Sequence, residues 1–139
     1  MKKYSLLLAG VVLFGLSSFK VAVPKAVSGA FAKKFPTATN IKWGKENAKE
    51  YEAEFKLNGK SVSANFLTDG SWVETEMEIN LSELPAAILN TVKTKHPGAI
   101  LLKTYKIETA KGVVTYEAEI KIRSKKRELV INADGTVVK

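Results

Sequence analysis

The chain has 139 residues, with 22 Lys and Arg, 14 Asp and Glu, one His, no Cys and a formal net charge of +8. Without cysteine it can build neither a disulfide framework nor a thiolate metal centre, and a single histidine leaves a zinc site close to excluded. Its length suits one small domain rather than two independent ones.

The first predicted element is a leader. "MKKYSLLLAGVVLFGLSSF" opens on Lys2 and Lys3, runs apolar from Leu6 to Leu16 and closes with Gly15, Ser17 and Ser18. That is the three-part pattern of an export signal, cleaved near residues 17–22. The apolar run is shorter than the roughly 20 residues that cross a bilayer, and no Cys follows it to carry a lipid. Residues 1–20 are therefore read as signal peptide and 21–139 as the mature domain, periplasmic or secreted, with no stable membrane anchor. Losing Lys2, Lys3 and Lys20 leaves a net charge of +5, mild and spread along the chain.

The mature chain repeats itself. "VPKAVSGAFAKKFPTA" (23–38) matches "LPAAILNTVKTKHPGA" (84–99) at an offset of 61, with Pro24 on Pro85, Lys34 on Lys95 and Pro36 on Pro97. After four inserted residues, "YEAE" (51–54) falls on "YEAE" (116–119), and Asp69-Gly70 on Asp134-Gly135. The domain is read as two repeats, 23–80 and 84–139. Two copies of this length do not make a solenoid, which needs three or more units.

Each repeat opens with a helix. Val23, Val27, Ala30, Phe31 and Phe35 recur at helical spacing, with Pro24 in the first turn and Pro36 ending the run; Leu84, Ile88, Val92 and His96 follow the same pattern. Strands come next. Tyr51, Ala53, Phe55 and Leu57 alternate with Glu52, Glu54 and Lys56. Asn58-Gly59 and Asp69-Gly70 are predicted hairpin turns of type I′, which needs positive φ angles. The expected fold class is α+β: a tandem, duplicated unit of one helix plus a four-stranded antiparallel meander. Both helices cover the Tyr/Ala/Phe face, and Tyr51, Phe55, Tyr116 and Ile120 are expected beneath them.

In order and spacing, the Val-Pro or Leu-Pro opening, the Phe-Pro or His-Pro close, Tyr-Glu-Ala-Glu and the terminal Asp-Gly resemble the PepSY-like, beta-lactamase-inhibitor-like family, over about residues 23–139. These are small exported bacterial proteins. The resemblance implies a fold like that of the beta-lactamase inhibitor protein, which grips an enzyme with the concave face of its sheet; related PepSY domains are proposed to restrain peptidases. No binding residue carries over, because that inhibitor's cysteines are absent and no inhibitory loop matches. A shared fold does not establish inhibition.

The residues offer little for catalysis. His96 replaces Phe35 of the first repeat, which points to packing or capping of a helix end, and no G-x-S-x-G nucleophile turn is present. No catalytic residue, cofactor or metal site is assigned. Glu52, Glu54, Glu117 and Glu119 could pair as acid and base or hold calcium, but Lys56 and Lys121 continue their strands, and cross-strand charge pairing explains the set. Glu74, Glu76 and Glu78 place an acidic strand at what is read as a sheet edge, discouraging aggregation. The cluster Arg123, Lys125, Lys126, Arg127 is read as a solvated turn. Ile41 and Trp43 share a strand face, and Trp72, replaced by Val137 in the second copy, is the better exposed anchor.

The functional expectation is an exported, non-enzymatic binding module. It presents Glu52, Glu54, Lys56, Ser63, Glu117, Glu119 and Lys121 of the uncovered sheet face, with Trp72 at its loop end, to a protein partner in the cell envelope. Inhibition of a peptidase or other enzyme is the finer form of this reading. The alternative is a periplasmic small-ligand or metal-ion binder using the helix–sheet crevice. Nucleic acid is not expected as a partner; the mixed charges suit specific complementarity, and the lack of a large apolar patch suits a monomer or a weak, transient complex.

Overall fold

The computed structural model describes residues 21–138; the signal peptide expected over residues 1–20 lies outside the described residues. Helix α1 spans Lys25–Lys34, and strands β1 (Thr39–Asn47), β2 (Glu50–Leu57), β3 (Lys60–Leu67) and β4 (Trp72–Glu78) follow. A 3₁₀ turn, Leu81–Glu83, leads to α2 (Ala86–Lys95) and then β5 (Ile100–Thr109), β6 (Val114–Ile122) and β7 (Lys125–Asn132). The strands form one antiparallel sheet in chain order, β1 to β7. Here β4 pairs with β5 from Glu74↔Thr109 to Glu78↔Tyr105 and joins the two halves.

Each helix starts at the predicted proline. Pro24 and Pro85 supply the first carbonyls, which accept from Ser28 N–H at 3.0 Å and Ile88 N–H at 3.0 Å. The register puts Tyr51, Ala53 and Phe55 opposite Phe66, Ala64 and Val62, so one face of β2 and β3 is apolar. Val27 and Phe31 of α1 bury that face. On the same side, Ile88 and Val92 of α2 cover Ala118, Ile120, Leu129 and Ile131. Tyr51, Phe55 and Ile120 are buried as expected, while Tyr116 is half-buried at the border of the second cluster.

Four strands are expected in each half, but the second half forms three. After Asn132 the chain turns back through Asp134-Gly135, yet only Ile131↔Val137 pairs as an isolated bridge, with Val138 N–H donating to Val130 O at 2.7 Å. Ile41 and Trp43 also separate. A bulge between Thr39 and Lys42, with Asn40 at φ 54°, leaves Ile41 exposed, while Trp43 stacks edge-on against Phe31 with centroids 5.2 Å apart.

The two Asp-Gly motifs share a purpose that the type I′ assignment does not capture. Only the glycine has positive φ, 89° at Gly70 and 90° at Gly135. Gly70 N–H donates to Leu67 O at 2.8 Å, and the Asp69 carboxylate accepts from Ser71 N–H at 2.8 Å. This is a turn closed by a left-handed glycine and braced by an aspartate. Each glycine also abuts a helix: a Cβ on Gly70 would lie 2.6 Å from Ala26 O, and one on Gly135 2.9 Å from Ala87 O. Gly70→Ala is therefore expected to cost about 2–3 kcal/mol through backbone strain and helix displacement together. A denaturation midpoint equal to wild type would show that the turn is not docked on α1.

Candidate functional site: the open face of the sheet

With both helices on one side, alternate residues of every strand line the other, and among the described residues no helix or loop covers them. Most of the chain's 14 acidic residues gather here. Glu50, Glu52 and Glu54 come from β2, Glu74, Glu76 and Glu78 from β4, Glu117 and Glu119 from β6, and Glu128 from β7. Glu46 joins them from the bulge near the end of β1, within electrostatic reach of Glu52 and Glu74. The net positive charge of the chain hides this segregation, since the lysines and arginines fall largely on helices, turns and the strand ends.

Neighbouring side chains sink the centre of this face below full solvation. Glu50 is 5% exposed and accepts hydrogen bonds from Asn47 Nδ2 at 3.1 Å and Asn65 Nδ2 at 2.9 Å. Glu76 lies between Ser63 of β3 and Ile107 of β5, and Glu117 between Tyr105 and Val130. Burial, then repulsion from Glu117, Glu74, Glu52 and Glu128, pushes the Glu76 carboxyl up to about 8. Burial, with Glu54 and Glu46 adding, pushes Glu52 up to about 7. Glu74 is raised by burial and by Glu50 and Glu46. The Tyr105 hydroxyl, also raised by burial and then by Glu78 and Glu76, reaches about 12 and stays protonated. The face thus carries protons that are shared out near neutral pH.

The structure brings Glu52, Glu54, Lys56, Ser63, Glu117, Glu119 and Lys121 onto this one face, as the period-two pattern requires. Their surroundings differ. Glu54 is exposed, Glu117 is 1% exposed, Lys56 Nζ donates to Ser61 Oγ at 2.7 Å, and Glu119 pairs with Lys126 at 2.8 Å. Trp72 lies elsewhere: it packs on the first core cluster, its Nε1 donates to Thr75 Oγ1 at 3.0 Å, and Lys34 Nζ sits 3.5 Å from its ring centroid. Glu74, Glu76 and Glu78 are not an edge but lie on the central strand, paired on both sides. Glu50, Asn65 and Tyr105 escaped the sequence reading; the Glu50-Glu52-Glu54 alternation was the available signal for the first of them.

His96 closes α2 on the helical side of the sheet, its N–H donating to Val92 O at 2.9 Å, as Phe35 N–H does to Phe31 O at 2.8 Å. It is therefore not brought to the carboxylates. Among the described residues, no group of three His, Cys, Asp or Glu side chains is placed to hold a metal ion.

The profile of the beta-lactamase-inhibitor-like, PepSY-like family matches residues 49–139, from the turn before β2 to the last residue. The chain belongs to this family. Solved structures share the fold of this PepSY-like protein. A protein described as periplasmic from Bacteroides eggerthii aligns at a TM-score of 0.78, with 22% identity over 86% of this chain and 88% of its own. A DUF2874 family protein from Bacteroides uniformis aligns at 0.76, with 20% identity over 85% and 88%. A BLIP-like protein from Bacteroides fragilis aligns at 0.70, with 22% identity over 86% and 85%. No curated protein matches the chain.

Proposed function

We propose that this PepSY-like protein is an exported, non-enzymatic binding module that presents the open face of its sheet to a protein partner in the cell envelope. The observation that carries this reading is a seven-stranded sheet with both helices on one side and a carboxylate-rich face left uncovered on the other. Surface of this size and regularity is what a partner can lie across, and its charge selects a basic one. Family membership and the periplasmic description of a fold relative support an envelope location. Likeness to a BLIP-like protein supports the finer form of the reading, restraint of an enzyme. Exposed large apolar side chains such as Leu67, Ile100 and Val113 lie at strand ends and turns rather than on the middle of the face. A monomer that binds transiently is therefore favoured over an obligate dimer. The metal-ion form of the alternative draws no support from the described residues, among which no three His, Cys, Asp or Glu side chains are placed to hold an ion.

The test is a pull-down from envelope extract with the processed protein, followed by affinity measurement on the captured partner. The double variant Glu54→Lys, Glu119→Lys is expected to weaken binding by roughly tenfold or more, with a nearly unchanged melting temperature. If affinity survives that reversal and Trp72→Ala abolishes it, the helical side of the protein is the binding surface.

A further inference from the structure

The end of the sheet at which β6 turns into β7 differs from the rest of the surface. The matching hairpin of the first half turns on Asn58 at φ 51° and Gly59 at φ 80°, residues that tolerate left-handed backbone. Here Arg123 takes φ 55° instead, a conformation unfavourable for an arginine and retained where surroundings or function demand it. Ile122, Arg123, Ser124, Lys125 and Arg127 line a cleft of about 370 Å³ beside the turn. Arg123, Lys125 and Arg127 are exposed, and among the described residues none of them forms an ion pair; Lys126 is held by Glu119.

Apolar side chains stand exposed at the same end. Ile100 opens β5 on the open face, opposite Lys121, which is itself opposite Lys126, and is 61% exposed. Lys125 and Arg127, paired with Ile122 and Ile120, project instead to the helical side of the same strand ends. Leu102, in the bulge that follows, is 39% exposed. Leu81, 54% exposed, is brought to this end by the hydrogen bond from Ile79 N–H to Thr104 O at 2.9 Å.

We infer that this end of the sheet docks on an anionic phospholipid surface. With the strand ends facing the surface, Arg123, Lys125 and Arg127 would meet headgroup phosphates along the helical side of that end while Ile100, Leu102 and Leu81 enter the interface from its other strands. The apolar residues favour a lipid surface over a soluble anion, which would leave them in water. The absence of an aromatic side chain in this set disfavours single-stranded nucleic acid, which is gripped by stacking. The attachment proposed is peripheral and reversible, made by a few side chains at the strand ends. This surface lies at the strand ends, and the inference stands whether or not the open face binds a protein.

The test uses the protein as processed by its own host, sedimented with vesicles of phosphatidylcholine alone or of phosphatidylcholine and phosphatidylglycerol in equal parts. Binding is expected to the mixed vesicles and not to the neutral ones, and to fall as salt is raised. The variant Arg123→Glu, Lys125→Glu, Arg127→Glu should lower the bound fraction by roughly tenfold or more. Ile100→Ser with Leu102→Ser should lower it while leaving the salt dependence in place. Thermal melts check folding, and if the triple reversal does not fold, Lys125→Gln with Arg127→Gln replaces it. Equal binding to both vesicle types, no binding to the mixed vesicles at low salt, or unchanged binding by the charge variant would overturn the inference. Displacement by inorganic phosphate at constant ionic strength would also overturn it, by revealing a site for a free anion.

Discussion

Phe31→Ala is expected to lower the stability of the protein by about 3–5 kcal/mol. The ring is 4% exposed and sits at the hub of the first core. Its centroid lies 5.5 Å from Phe35, 5.2 Å from Trp43, 5.0 Å from Phe55 and 6.2 Å from Phe66, mostly edge to face. Truncation removes the apolar burial of one ring and leaves a void bounded by four others, which backbone held in a sheet cannot collapse to fill. A small domain has about 5–15 kcal/mol in total, so the variant should be unfolded to a measurable extent at room temperature. Urea denaturation followed by Trp43 and Trp72 fluorescence reads this directly. A loss below about 1 kcal/mol would mean that α1 does not seat Phe31 in this core.

Glu76 should make the fold less stable as the solution becomes alkaline. Its carboxyl is raised from 4.5 to about 8 by burial and by Glu117, Glu74, Glu52 and Glu128. The folded protein therefore holds this proton more tightly than the unfolded chain does. The stabilisation is complete below about pH 4.5, where both states are protonated, and is lost progressively as the pH rises to about 8. The loss is on the order of 5 kcal/mol for this group, and Glu52, raised to about 7, adds in the same direction. Asp69, Asp134 and Glu83 are lowered instead, by hydrogen bonds, but they are exposed and titrate below this window. Denaturation midpoints should fall between about pH 5 and about pH 9 in the wild type. Glu76→Gln should flatten much of that slope and be the more stable protein at the alkaline end. A wild-type midpoint that is level across this range would show that Glu76 is solvated.

Much of the fold is written in local patterns. Pro24 and Pro85 mark helix starts because their fixed φ suits the first turn, and Val27, Phe31, Ile88 and Val92 mark the buried stripe by their spacing. Tyr51-Glu52-Ala53-Glu54 assigns its own two faces, since alternate side chains in a strand point oppositely. Strand neighbours are another matter. β4 and β5 are separated by a 3₁₀ turn, a helix and their loops, so no turn signal states that Glu76 will lie beside Ile107 at the centre of the sheet. For the same reason the carboxylates could be taken for solvated pairs, while their crowding depends on residues more than forty positions apart. The missing eighth strand was equally hidden: Val137 continues the repeat pattern, but it meets Ile131 only as an isolated bridge and not in a ladder.

The ladder between β4 and β5 has a mechanical meaning. Each half carries its own packed cluster beneath its own helix, and on the helical side of the join stand Thr75, Lys106 and Glu108, which belong to neither. Bending the sheet about this line disturbs backbone hydrogen bonds only slightly and opens no packed core. On the opposite side it spreads or crowds Glu52, Glu76 and Glu117, so the curvature of the sheet and the proton count of its open face are coupled variables.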